Sequence, residues 1–223
     1  MSETGKKVSQ ISVCIVAKNE ETFIDTCLSD VKDYADEIIV VDTGSTDGTI
    51  DIARQYTEKI YSRPDSGSYS TYRQFSVDQA SCTWVLLLNS DEKLDLSLKS
   101  KLDQLMSSDF DVFILPIVRA PLQENKEENS DQLEPRLFKK GAITWTQTRN
   151  SQPVFHTNKT ARVKDGYIIH SKKTEKPGTG NINVDTEQHA DVLVSHLRQL
   201  EKENSRMGTN EAMYRFLYEL SMS

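Results

Sequence analysis

Two short polar clusters hold most of the side chains in this chain that could bind or activate a ligand. Asp42, Thr43, Gly44, Ser45, Thr46 and Asp47 place two carboxylates, three hydroxyls and a glycine in six consecutive residues, and Asn89, Ser90, Asp91 and Glu92 form a second polar run. Carboxylates accept hydrogen bonds from a nucleobase or ribose, and hard oxygen ligands suit Mg²⁺ or Mn²⁺ bridging a diphosphate. Two such clusters at the ends of neighbouring strands are what a nucleotide and its metal require. The glycine-rich alternatives are missing: no GxGxxG follows the first apolar run and no GxxxxGK[ST] occurs, so a dinucleotide dehydrogenase and a Walker-type NTPase lack support.

Each cluster follows an uninterrupted apolar run. Ile38 to Val41 precedes the first and Trp84 to Leu88 the second, while Ile11 to Ala17 is a third, nearly continuous run. Runs this short and this rich in β-branched residues read as strands buried on both faces, hence a parallel sheet, and polar groups at the carboxyl ends of such strands read as a ligand site. Helices should alternate with them. Asn19 is placed to cap a helix with the stripe Phe23, Cys27, Leu28 and Val31, and Thr46 or Asp47 to cap one carrying Ile50, Ala53 and Tyr56. Lys59 to Ser62 reads as a strand, Tyr69 to Ala80 as a helix, and Leu98, Leu102 and Leu105 mark another helix. Phe110 to Val118 reads as a strand that Pro116 should confine to an edge or bulge. Arg136 to Phe138, Ala142 to Thr146 and Val163 to His170 read as further strands, and 122–134 as a charged, solvated loop. From 184 the spacing of Leu193, Leu197 and Leu200, then Met213, Phe216, Leu217 and Leu220, predicts a helical hairpin packed on the main domain (1–183) or on a protein partner.

Composition narrows the function. Twenty-seven Lys and Arg stand against 34 Asp and Glu, a net charge of -7, so no basic field is available to gather nucleic acid. No run approaches a membrane span or a signal-peptide core, and a cytoplasmic location is the expectation. Cys14, Cys27 and Cys82 lie in apolar segments without CxxC spacing and read as buried free thiols.

The segments ISVCIVAKNEE, ADEIIVVDTGSTDGT and WVLLLNSDE, continued by SYSTYRQFSV, PRLFKKGAITW and YIIHS, resemble family 2 glycosyltransferases over roughly residues 10 to 170. The resemblance implies a GT-A fold: a single Rossmann-like α/β domain with a mostly parallel central sheet, here followed by the helical hairpin. It implies transfer of a sugar with inversion from a nucleotide-diphosphate sugar, UDP-sugar foremost, to a hydroxyl or thiol of a peptide, glycan or lipid-linked acceptor. Residue by residue, it assigns Ala17 and Glu20 to the rim of the nucleotide pocket, Asp42 to the base or ribose, and Arg73 to the diphosphate. Asp47 is as well explained as a helix cap. The family's Asp-x-Asp metal motif is here Asn89, Ser90, Asp91, so the resemblance leaves Asp91 and the late His170 to hold Mn²⁺ or Mg²⁺. The family's His-Glu pair after the RLF strand is also missing, with Asn150 and Ser151 nearest its place. Glu134 is the candidate general base, Asp165 or a carboxylate of the acidic loop the alternatives. These two departures keep a second reading open, a catalytically weakened protein that binds a nucleotide-sugar or supports a partner transferase.

Overall fold

The first half of the described chain alternates strand and helix. β1 (Ile11–Ala17), α1 (Ile24–Val31), β2 (Glu37–Asp42), α2 (Thr49–Ala53), β3 (Ile60–Ser62), α3 (Tyr69–Gln79) and β4 (Trp84–Asn89) follow in that order. Then come β5 (Glu92–Leu94), α4 (Leu96–Met106), β6 (Val112–Arg119), β7 (Gln132–Lys139), β8 (Ile143–Trp145), β9 (Pro153–Phe155), β10 (Thr160–Arg162) and β11 (Ile168–His170). The computed structural model describes residues 10–63, 68–119, 132–145 and 153–171. The expected helical hairpin, the boundary at 183, most of the acidic loop, and Asn150 and Ser151 lie outside them.

Among the described residues, nine strands form one sheet in the order β3-β2-β1-β4-β7-β6-β11-β5, with β10 also on β6. β3, β2, β1 and β4 are mutually parallel, because each is reached through a helical crossover. β7 runs antiparallel to both β4 and β6, and β5 antiparallel to β11. The sheet is thus mixed α/β, as expected for GT-A.

Alternation along the strands divides the core between the two faces. Ile11, Val13, Ile15 and Ala17 of β1 join Leu28 of α1 and Leu98, Leu102 and Leu105 of α4 on one face. Cys14 and Val16 join Ile39, Val41, Tyr72 and Val77, with Ile143 and Trp145, on the other. The thiols are free and buried, and burial pushes Cys14 up to about 12.

Several local expectations change. Asn19 does not cap α1, which starts only at Ile24; it takes a left-handed backbone (φ 53°), which a short polar side chain tolerates, and bonds to a neighbouring loop. Pro116 is in an interior strand: β10 pairs with residues 112–114 of β6 and β11 with 117–119, so the proline falls between them, and a bulge sits nearby at Phe113/Ile114. The run Val163 to His170 is not one strand, since Gly166 (φ 116°) turns the chain between β10 and β11. β5 and β9, three residues each, carry too little pattern to be anticipated.

Candidate functional site

Parallel register brings the carboxyl ends of three strands together. Ala17 pairs with Asp42 and Val16 with Asn89, so the loops after β1, β2 and β4 share one rim.

The loops after β1 and β2 are stitched to each other. Asn19 N donates to Ser45 Oγ (2.9 Å) and Thr46 N to Asn19 Oδ1 (2.8 Å). Glu20 N donates to Thr49 Oγ1 (2.7 Å), Glu21 N to Asp47 Oδ2 (3.2 Å), and Gly48 N to Glu21 Oε2 (2.8 Å). Asp47 also accepts from Thr49 N (3.1 Å), but neither it nor Thr46 is the N-cap of α2: that position is Gly48, which offers no side-chain cap, and the Asp47 carboxylate is committed to this joint instead. Asp42 is 1% exposed, and its carboxylate accepts from Gly44 N (3.1 Å) and Ser45 N (3.2 Å). Gly44 itself is at φ 106°, a conformation glycine adopts without strain. Asp42 therefore shapes the loop from beneath, leaving half-buried Gly44 and Ser45 above it. Ala17, also buried, accepts from Thr43 N (3.0 Å) through its carbonyl.

The second cluster is a turn between β4 and β5, with Ser90 buried in it. Asp91 Oδ2 lies 2.8 Å from His170 Nε2, so the two candidate metal ligands, far apart in sequence, meet where β11 lies beside β5. The hydrogen bond to Asp91 raises the His170 pKa above its ordinary value, against the opposing effect of burial. Asp91 O also accepts from Ser171 N (2.9 Å), fixing the turn. Two protein donors leave most of a hard cation's coordination to phosphate oxygens and water, which fits Mg²⁺ or Mn²⁺ better than a closed structural site. Among the described residues no group of three His, Cys, Asp or Glu is gathered.

Asn89 is fully engaged. Its Nδ2 donates to Glu92 Oε1 (2.9 Å) and its N to Glu92 Oε2 (2.7 Å). Its Oδ1 accepts from the Tyr69 hydroxyl and, at 3.5 Å, from Arg73 Nη2. Glu92, 2% exposed, is in turn bound by Arg136, 1% exposed, through two parallel hydrogen bonds of 3.0 Å. Arg136 Nη1 also reaches Leu87 O (3.2 Å), and its Nε lies 2.9 Å from Glu134 Oε2, an ion-pair distance without hydrogen-bond alignment. Arg73 Nη1 donates to Glu134 Oε2 (3.2 Å), and its guanidinium carbon stands 4.7 Å over the Tyr69 ring. Arg73 is therefore at the rim and not on a solvated helix face. Glu134, the candidate base, is held by Arg73, Arg136 and Gln132 (2.5 Å). Asp165 lies elsewhere, 3.9 Å from Lys101.

Sequence reasoning did not anticipate the Glu92–Arg136 pair or the part of Tyr69. Both charged residues stand in segments that carry the family resemblance, but nothing in a sequence distinguishes a buried charge from a surface one until its partner is known.

Comparison with known proteins adds the family. The model of the family "Glycosyl transferase family 2" matches residues 12–165, more than half of the chain. The chain belongs to this family. Among similar proteins is an uncharacterized glycosyltransferase of Rickettsia typhi, 29% identical over 150 residues, covering 65% of this chain and 51% of that protein. Another is the lipopolysaccharide core biosynthesis glycosyltransferase LpsC of Rhizobium meliloti, 30% identical over 116 residues, covering 50% of this chain and 42% of LpsC. The chain thus spans about half the length of such relatives. Among solved structures, S. aureus TarS 1-349 in complex with UDP-GlcNAc superimposes with a TM-score of 0.55 at 18% identity, covering 75% of this chain and 60% of that one, a likeness of fold. No helix among the described residues is long and apolar enough to cross a membrane.

Proposed function

We propose that this family 2 domain transfers a sugar, with inversion, from a nucleotide-diphosphate sugar to an acceptor hydroxyl or thiol. The observation that carries the reading is the convergence of the Asp42 loop, Arg73 and the Asp91–His170 pair at the carboxyl ends of β1, β2 and β4. The nucleoside rests on the joined loops, with Ala17 and Glu20 at the rim and Gly44 and Ser45 held in place by Asp42. Arg73, its side chain 15% exposed, presents guanidinium N–H groups to the diphosphate, whose two charges call for such a donor. Asp91 and His170 would hold the divalent cation, which supplies further neutralisation of the leaving diphosphate. For that the Asp91–His170 contact must open, and His170 must be neutral to offer a lone pair. Glu134, tied to two guanidinium groups, is better suited to hold them than to take a proton from an acceptor. UDP is the nucleotide to try first, since TarS, of the same fold, has been crystallised with UDP-GlcNAc.

One observation favours a second reading, a protein that binds the nucleotide-sugar with weakened catalysis. Asn89 replaces the usual first carboxylate, and both lone pairs of its Oδ1 are taken by Tyr69 and Arg73, so it adds neither charge nor a ligand to the metal site. Incubation with Mn²⁺ and a panel of nucleotide-sugars and acceptors separates the two. Release of nucleoside diphosphate supports transfer; nucleotide binding without release supports the weakened form. Absence of any binding refutes both. Asp91→Ala is expected to abolish metal-dependent nucleotide binding, and unchanged metal dependence would remove Asp91 from the site.

A further inference from the structure

The proposed donor site leaves Glu134 holding cations and not substrate. Its Oε2 is shared by two guanidinium groups, Arg73 Nη1 at 3.2 Å and Arg136 Nε at 2.9 Å, while Oε1 accepts from Gln132. These cations differ in freedom. Arg136 is 1% exposed and fixed by Glu92 and Leu87 O, whereas the Arg73 side chain, on α3, is 15% exposed and stands at the rim. Without a carboxylate between them the two like charges repel, and Arg73 is the one able to move. Three contacts from three elements now define its position: Glu134 on β7, Asn89 at the end of β4, and the Tyr69 ring one helical turn away on α3. A guanidinium has five N–H donors, more than the hydrogen bonds to Glu134 and Asn89 use among the described residues, so the fork keeps donors for a ligand.

We infer that Glu134 is a positioning residue for Arg73, seating its guanidinium against Tyr69 and Asn89 so that the remaining N–H groups face the donor's diphosphate. The inference rests on reading the site as one for a nucleoside diphosphate. It assigns β7 a part in donor binding that is exerted through Arg73. A charged fork held in advance loses less freedom on binding than one that must be ordered by its ligand.

The test is a double-mutant cycle read by calorimetric titration of UDP in the presence of Mn²⁺, using the full chain. Glu134→Gln keeps the shape and one acceptor but removes the charge, and should weaken UDP binding on the order of tenfold, as Arg73 loses its seat. Glu134→Asp, which keeps the charge, should recover part of that loss. In an Arg73→Ala background, Glu134→Gln should cause no further loss, because its effect passes through Arg73. A merely structural Glu134 would instead weaken binding equally in both backgrounds. Tighter or unchanged UDP binding by Glu134→Gln, or losses that multiply in the double variant, overturns the inference while leaving the donor site standing. Should Glu134→Gln not fold, Glu134→Asp with and without Arg73→Ala gives the same cycle, and its outcomes decide in the same way. Failure of the unaltered protein to bind UDP at all would overturn the donor reading and this inference together.

Discussion

Replacing Arg136 with methionine should be among the most destabilising single changes in this domain. Arg136 and Glu92 are 1% and 2% exposed and joined by two hydrogen bonds of 3.0 Å. Methionine fills much of the arginine's volume, so the main loss is electrostatic: among the described residues, Glu92 stays buried with Asn89 as its remaining side-chain partner, and Glu134 keeps Arg73 but loses Arg136. Removing one partner of a buried pair costs about 3 to 5 kcal/mol, because the other charge is left uncompensated in a medium that solvates it poorly. For a domain of this size that corresponds to a fall in Tm of about 6 to 20 °C, at roughly 2 to 4 °C per kcal/mol. The assay is equilibrium unfolding in urea, paired with Glu92→Gln and the double variant. Glutamine can still accept from Asn89 N, so the double variant is neutral and nearly satisfied, and should recover well over half of the loss. A single-variant cost below about 1 kcal/mol, or a double variant as unstable as the two singles combined, would refute the claim that unpaired charge dominates.

Other expectations can be checked on the same apparatus. Asn89→Asp removes the Nδ2 donation to Glu92 and sets two carboxylates against each other, so it should cost about 1 to 3 kcal/mol of stability even though it restores the family's usual acid; an unfolding midpoint at or above the unaltered protein's would contradict this. Gly166→Ala should destabilise more than Gly141→Ala: both have positive φ, 116° and 88°, but a Cβ at 166 meets the Leu98 backbone at 3.0 Å while one at 141 meets nothing within 4 Å. Equal melting temperatures for the two variants would show that the contact at Leu98 relaxes. Glu37 gives a pH signature. Burial alone would raise its pKa, but Lys59, Ser12 and Ser81 outweigh it and lower it from 4.5 to about 2. A depressed acid contributes stability that is fully present above pH 4.5 and lost as pH falls toward 2. The shift is an upper bound of about 3 kcal/mol, discounted to about 1 to 2 because Lys59 is 46% exposed and its pairing is screened. Glu37→Gln should lose that amount at neutral pH and flatten the stability curve between pH 4.5 and 2; a curve as steep as the unaltered protein's would exclude Glu37 as its source.

What could be read from the residues follows from which physical signals are local. β1, β2 and β4 are built on nearly continuous apolar runs, and a strand covered on both faces explains such a run followed at once by polar residues, so the sheet and the place of both polar clusters at its strand ends were legible. The meeting of Asp91 with His170 was legible only through family resemblance, since β11 reaches β5 through pairing that no local pattern encodes. The network joining Glu92, Arg136, Glu134 and Arg73 was hidden for a related reason: it is a property of separations of 44 and 61 residues in the chain. Asn19 misled because the side chain that caps a helix also tolerates a left-handed turn, and the turn prevailed once Thr46 offered it a partner.

The five amide hydrogen bonds between residues 19–21 and 45–49 have a consequence for motion. Two loops that lie on the surface, and would each fray alone, can part only by breaking these bonds together. Their amides should therefore exchange with solvent as one cooperative unit, slower than their exposure suggests and at matching rates on both sides of the joint. A nucleotide arriving there would meet a shelf already set, so its binding need not order the rim, and little of the protection pattern should change at 19–21 when it lands.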